Sequence, residues 1–375
     1  MRFLLLFGLL FFPTVIYSAG IVIATSNVPV VWIQHSIAQI VTVDAGLTIN
    51  DPQTNLPYTA QNFSAGYVLF IGYNANEDVI TCLPSAATGF TLTQSANVNG
   101  SGYPGYTITA AAKPASSWAT LFRSFRYSNS SQQPHSRLLQ IRFSVGEDQL
   151  FYALDQPGGT GHFYKYVSLG GPIVKTWTTV KESASSSTYF GLTGYLATFT
   201  SQLENDFVVG QLDGNAWLGG SDDIFQTWTY LNSGFSKNQV FTTPTLTSNS
   251  AQTNAEGTWY WATGPEAGTQ IWDSKGYTDA NEGIHGTHNI RLSNDSLSER
   301  FTAWANYPEP NNAGGENFLH IYKDNATWND FSNTNSSIAG YIVEYGGLPS
   351  DPTVTLRTNA SIYIYGNNTS WYIGF

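Results

Sequence analysis

The stretch that decides the reading is YPEPNNAGGENFLHIYKDNATWND, Tyr307 to Asp330. Glu309, Glu316 and Asp330 bring carboxylates, Asn311, Asn312 and Asn329 bring side-chain amides, and Lys323 is the only cation among them. Hard oxygen donors without nearby thiols or paired histidines suit Ca²⁺, which takes roughly six to eight oxygens in a flexible shell. Gly314 and Gly315 let a loop fold back on itself, while Pro308 and Pro310 hold it extended between carboxylate and amide. Trp328-Asn329-Asp330 then adds a second amide–acid pair beside an anchoring indole.

Working outward, other short motifs stand in a fixed order around this stretch. Tyr195-Leu196-Ala197-Thr198 is followed by Glu204-Asn205, then by Trp217-Leu218-Gly219-Gly220. Glu256-Gly257-Thr258-Trp259, Trp261-Ala262-Thr263-Gly264 and Tyr341-Ile342-Val343-Glu344 come next. Together with Glu309-Pro310-Asn311, Glu316 and Trp328-Asn329-Asp330, this series resembles the C-type lectin domain, over about His162 to Tyr345. Several motifs in order are far more specific than the tripeptide Glu-Pro-Asn alone.

The resemblance implies an α+β lectin fold with long loops and a principal calcium site formed by Glu309, Asn311, Glu316, Asn329 and Asp330. It implies that Glu309, Asn311, Glu316 and Asn329 also meet the sugar, with Glu-Pro-Asn favouring mannose-type hydroxyls. A second calcium site would draw on Asp222, Glu256 and Asn312, although Asn312 replaces the usual acid. The interval from Glu309 to Glu316 is one residue shorter than in animal lectins, so Glu316 reaches the ion differently. Phe318, Asn333 and Val343 occupy expected half-cystine positions. The chain therefore looks like the disulfide-free, bacterial type, held by packing of Trp217, Trp259, Trp261, Trp304 and Trp328.

The rest of the chain sets the context. Its 375 residues are long enough for two or three domains. Residues 1–19, with Arg2 and the apolar run Phe3–Phe12, read as a secretory signal peptide, and no later run reaches transmembrane length. A formal charge of −11 excludes nucleic acid and anionic lipid as natural partners, since both need a cationic face. Cys82, the single cysteine, excludes an intrachain disulfide and reads as a small hydrophobe within Val79–Leu83.

Between Gly20 and Leu150, short β-branched runs separated by Gly, Asn and Pro predict a β-sandwich. These runs include Tyr67–Tyr73, Asp78–Leu83, Phe90–Thr93, Tyr106–Ala110 and Leu138–Val145, and Ala115–Tyr127 holds one short helix. Asn50-Asp51-Pro52, Asn76-Glu77-Asp78 and Phe143–Asp148 make this unit look cadherin-like; its acidic strand ends could bind calcium or simply make turns. Residues 151–161, with Gln156–Gly161, read as a linker. The lectin-like domain spans 162–346, with a strand at His162–Ser168 and helices at Thr176–Phe190 and Ser201–Leu212. Ser201 and Glu204 form a capping box in the second helix. Asp223–Ala255 and Asp273–Arg300 exceed the lectin core and read as ligand-side loops. Residues 347–375 read as a linker and β tail added to a neighbouring sheet.

The fold expected is mainly β with α+β: an N-terminal cadherin-like β-sandwich, then a C-type lectin-like domain. The function expected is a secreted or surface lectin that binds glycans or glycoproteins through Ca²⁺ in adhesion. The alternative is a protein-binding adhesin whose calcium only shapes the loops. A glycosidase comes last, because carboxylates neutralising a cation are poor proton donors. His285 and His288 lack an HExxH context, and GxSxG, P-loop and dinucleotide motifs are absent from the sequence, so no catalysis is expected.

Overall fold

The computed structural model describes residues 20–33, 40–98, 101–131, 133–146, 152–153, 159–170, 176–223, 225–227, 257–273, 301–305 and 309–366. The expected signal peptide, Glu256, His285, His288, Tyr307, Pro308, most of the two long insertions and residues 367–375 lie outside them. Within them the chain is mostly strand with few helices, and no described helix is long and apolar enough to cross a membrane.

The first part of the chain contains β1 (Ile21–Ala24), β2 (Val30–Ile33), β3 (Val41–Thr42), β4 (Thr48–Asn50) and β5 (Phe63–Ile71). There follow β6 (Asp78–Cys82), β7 (Phe90–Ser95), β8 (Gly105–Lys113), α1 (Ala115–Arg123), β9 (Phe125–Asn129) and β10 (Arg137–Val145). Strand β10 alternates up to Phe143: Leu139, Ile141 and Phe143 are buried while Leu138, Gln140 and Arg142 face outward. Helix α1 turns Trp118, Leu121 and Phe122 into the same core, a spacing of three and four residues that places them on one face. Phe122 and Phe125 meet Phe143 at ring-centroid distances of 5.1 and 5.7 Å, so helix, β9 and β10 close one aromatic core.

The second part contains β11 (Tyr152–Ala153), β12 (Phe163–Ser168), α2 (Trp177–Ser185), β13 (Thr188–Tyr189), β14 (Leu192–Leu196) and α3 (Gln202–Val209). It continues with β15 (Ala216–Ser221), β16 (Thr258–Trp261), β17 (Gln270–Asp273), β18 (Phe318–Ile321), β19 (Trp328–Phe331) and β20 (Gly340–Tyr345). Their sheet runs β11-β12-β20-β15-β16-β17, with β18 paired to β15 and β19 to β18. Central β15 carries Trp-Leu-Gly-Gly, where a Cβ on Gly219 would lie 2.0 Å from Thr263 Oγ1 and 2.6 Å from the Leu196 carbonyl oxygen. Only glycine lets those backbones approach.

The tryptophans pack as an interlocked set in place of cross-links. Trp259–Trp304, Trp261–Trp328 and Trp304–Trp328 meet edge-on at 5.1, 5.7 and 6.1 Å, and all four are buried. Trp217 is also buried, on the other side of the sheet, beside His320. Phe318 packs on Trp177, and Asn333 accepts a hydrogen bond from the Thr178 amide. In α3, Ser201 Oγ accepts from the Glu204 amide at 3.2 Å, as the expected box requires. The return bond differs: Glu204 accepts from the Thr200 amide at 2.8 Å and from Tyr164 Oη at 2.5 Å. Burial of Glu204 beside β12 draws its carboxylate back by one residue.

The end of the chain, read as a β tail added to a neighbouring sheet, enters the first sheet as an interior strand. Beyond β21 (Val354–Thr355), β22 (Arg357–Tyr365) lies inside the first sheet, in the order β2-β22-β10-β5-β8-β7. It pairs with β10 from Arg137↔Ile364 to Ser144↔Arg357 and with β2 from Val30↔Ile362 to Ile33↔Tyr365. Alternating Ala360, Ile362 and Ile364 point into the core, which explains why a run too short for a domain is nevertheless strongly patterned. The two parts also share apolar contacts, with Phe63 and Phe190 rings 5.9 Å apart and Tyr189 Oη donating to the Gly146 carbonyl at 3.1 Å.

Candidate functional site

The deciding stretch folds as a loop, 309–317, clamped against the β18–β19 hairpin. The hairpin register is Phe318↔Phe331, Leu319↔Asp330, His320↔Asn329 and Ile321↔Trp328. The Trp328 indole anchors it by donating to Asn205 Oδ1 at 2.9 Å, while Asn205 Nδ2 donates to the Ala326 carbonyl at 2.9 Å. On the neighbouring loop, the amides of Asn311 and Asn312 donate to the two Asp330 carboxylate oxygens at 3.3 and 2.8 Å. The Asn317 amide closes the loop onto Phe331 O at 3.1 Å.

Inside the loop the side chains make their own turns. Asn312 adopts φ 50°, and its Oδ1 accepts from the Glu316 amide at 2.7 Å. Gly314 and Gly315, both at φ 89°, complete the reversal, a conformation that suits residues without a Cβ. Asn311 Nδ2 donates to Glu309 Oε1 at 2.8 Å, and the Ala313 amide reaches Asn311 Oδ1 at 2.8 Å and Glu316 Oε2 at 3.2 Å. The Glu309–Pro310 peptide is cis.

This geometry gathers negative charge without a counterion. Among the described residues no cationic side chain pairs with Glu309, Glu316 or Asp330. Burial, and then the charges of Asp330 and Glu316, push the Glu309 carboxyl up to about 7. Glu316 and Asp330 are raised as well, chiefly by burial, and Glu316 further by Asp330. A shared proton or a bound cation relieves such like-charge repulsion. Glu309 Oε2 and Asn329 Oδ1 are buried and accept no hydrogen bond from a protein donor, and the Glu309 carboxyl lies against that of Asp330.

The sequence-derived ligands thus divide. Glu309, Asn311, Glu316 and Asp330 are linked through one hydrogen-bonded loop, and Asn329 adjoins Asp330, whose carbonyl accepts from its Nδ2 at 2.7 Å. Among the described residues no three Asp, Glu, His or Cys side chains converge on one point, so a cation here also needs amide oxygens. Of the second-site residues, Glu256 is outside the described structure. Asp222 is buried and accepts from the Gly257 amide at 2.8 Å. Asn312 is engaged in the loop with Asp330 and Glu316.

Glu147 and Asp148 lie outside the described residues; the other acids singled out in the first part have protein partners. Glu77 and Asp78 are both buried against the Arg137 guanidinium, and Asp51 accepts from the Gln53 amide at 2.8 Å as an ordinary turn.

Two residues near the loop escaped the sequence reading. Tyr322 feels Glu309, Glu316 and Asp330 as negative charges that raise its phenol, after burial. His320 is fully buried, and desolvation lowers its imidazole to about 3, so the ring is neutral. Their signal was the alternation His320–Tyr322 opposite Asn329–Phe331, which places all four on one side of the hairpin.

No family model matches the chain. Over 322 residues, 85% of its length, the chain is 27% identical to halomucin of Haloquadratum walsbyi, and it spans 3% of that protein. Among solved structures, the C-type lectin CEL-I of Cucumaria echinata is similar at a TM-score of 0.28 and 15% identity, covering 53% of this chain and 97% of CEL-I. Human lithostathine is similar at 0.28 and 12% identity, covering 54% of this chain and 92% of its own. At such scores these likenesses add nothing to the geometry of the loop and hairpin.

Proposed function

We propose that the chain is an exported, calcium-dependent carbohydrate-binding protein acting in adhesion. The observation that carries this reading is the uncompensated acid cluster. Burial raises the pKa of Glu309, Glu316 and Asp330, the charge of Asp330 raises Glu309 and Glu316 further, and the oxygens Glu309 Oε2 and Asn329 Oδ1 belong to the same loop and hairpin. An all-oxygen set of carboxylates and amides fits Ca²⁺. The likeness to halomucin supports a surface or secreted setting.

Glu309, Asn311, Glu316, Asn329 and Asp330 would hold the ion. The bound ion would supply open coordination positions for two vicinal sugar hydroxyls. Glu309 and Glu316 then accept hydrogen bonds from those hydroxyls, and the amides of Asn311 and Asn329 donate to them. Charge-assisted bonds of this kind are stronger and more directional than neutral ones. Asp330 fixes the loop, because its carboxylate binds two successive loop amides. The Glu-Pro-Asn order supports mannose-type glycans. The first part of the chain, read as cadherin-like, serves as a spacer or second adhesion module.

A glycan array probed with calcium and with chelator tests this reading. Calcium-dependent retention on mannose-type glycans is expected; equal retention in chelator contradicts it.

A further inference from the structure

The hairpin's buried side contains more unpaired polar atoms than the proposed ion explains. Strand register places Trp217, His320 and Asn329 side by side across β15, β18 and β19, because Trp217 pairs with His320 and His320 with Asn329. Residues directly opposite in antiparallel strands project to the same face with Cβ atoms roughly 4.5–5.5 Å apart. All three side chains are buried. Trp217 Nε1, both His320 ring nitrogens and Asn329 Oδ1 all lack a hydrogen-bond partner.

This imidazole lies mainly among ring contacts, with the Ile321 backbone as its polar neighbour. It stacks on Phe331 at 4.1 Å, meets Tyr322 edge-on at 4.6 Å and meets Trp217 edge-on at 6.2 Å. Each unpaired buried donor or acceptor is costly, and a leucine there would carry none. Buried water relieves such groups when two to four polar partners face one space. Here the row offers an indole donor, an imidazole with one donor and one acceptor, and a carboxamide oxygen.

We propose that His320 is a positioning residue for Asn329, acting through ordered water that bridges the Trp217 indole N–H, the His320 ring and the Asn329 carboxamide. The water takes one lone pair of Asn329 Oδ1 and leaves the other for the ion, which fixes the carboxamide rotamer. The inference rests on the calcium-binding reading, for which Asn329 is a ligand. Partners that orient a ligand typically change metal affinity by about 10–100-fold when removed.

The test uses the full chain carrying His320→Leu, which removes both nitrogens, and His320→Gln, which retains a donor and an acceptor. Calcium affinity is measured by calorimetry, calcium-free stability by thermal denaturation, and hydration by the cross-relaxation of the Trp217 indole proton with water. In His320→Leu we expect calcium binding weaker by about tenfold or more, an undiminished calcium-free denaturation midpoint, and loss of the indole–water signal. In His320→Gln we expect affinity within about threefold of the parent and retention of that signal.

Parent-like calcium affinity in the leucine variant, or equal weakening in both variants, overturns the positioning role. A parent protein without the indole–water signal overturns the bridge. Glu309→Gln with Asp330→Asn serves as a separate arm. If the parent binds calcium and this double variant still does, the ligand assignment has failed rather than the role of His320.

Discussion

Replacing Glu309 by Gln in calcium-free protein removes one charge from a cluster that repels itself. The carboxyl is raised from an ordinary 4.5 to about 7, by burial first and then by Asp330 and Glu316. At about 1.36 kcal/mol per pKa unit this bounds the destabilisation by its charged form at roughly 3 kcal/mol. Glu309 is only half-buried and solvent screens it, so about 1–2 kcal/mol is the expected effect. A carboxyl raised on folding favours the native state below its unfolded pKa, and that contribution is lost as pH rises through about 7. Glu309→Gln should therefore stabilise calcium-free protein at pH 8 by about that 1–2 kcal/mol, with the gain fading below about pH 4.5. Parent and variant are compared by thermal denaturation in chelator at both pH values. Glu204, also pushed up to about 7 in its buried site, titrates alike in both proteins, so their difference isolates Glu309. A variant no more stable than the parent at pH 8, or one equally stabilised at pH 4, would refute the repulsion argument.

Gly219→Ala should destabilise the chain by roughly 1–3 kcal/mol or more, since the new methyl collides with Thr263 Oγ1 and the Leu196 carbonyl; thermal denaturation checks it. Ser201→Ala should cost about 1 kcal/mol through loss of the α3 cap, measured the same way. A fragment of residues 20–150 should fail to give a dispersed NMR spectrum, whereas the same fragment supplied with a 351–366 peptide should recover it, because β22 is an interior strand. Exchanging Glu309→Gln with Asn311→Asp should preserve calcium binding but weaken mannose binding by roughly ten- to a hundredfold, read by calorimetry at saturating calcium.

Local signals were the most legible part of this chain. The Ser201 cap, the alternation in β10 and the order of acids and amides from Glu309 to Asp330 all follow from neighbouring residues. The position of β22 was not legible, because a strand's partners are set by long-range register. Ala360, Ile362 and Ile364 show that one face is buried without showing where. The same limit applies within the site: His320 reads as one more residue in an apolar run. Only its pairing with Trp217 and Asn329 reveals a row of polar atoms. For Glu204 the motif placed the cap correctly but missed Tyr164, forty residues earlier in the chain, which captures its second oxygen.

Calcium titration by calorimetry at neutral pH, on the parent and on Glu309→Gln with Asp330→Asn, tests the central claim most directly. The account predicts saturable binding to the parent at about 10⁻⁴–10⁻³ M and none to the double variant. It also predicts parent binding that weakens as pH falls below about 7, where Glu309 takes up its proton in competition with the ion. Equal calcium affinity in both proteins, or no calcium binding by the parent, would contradict it.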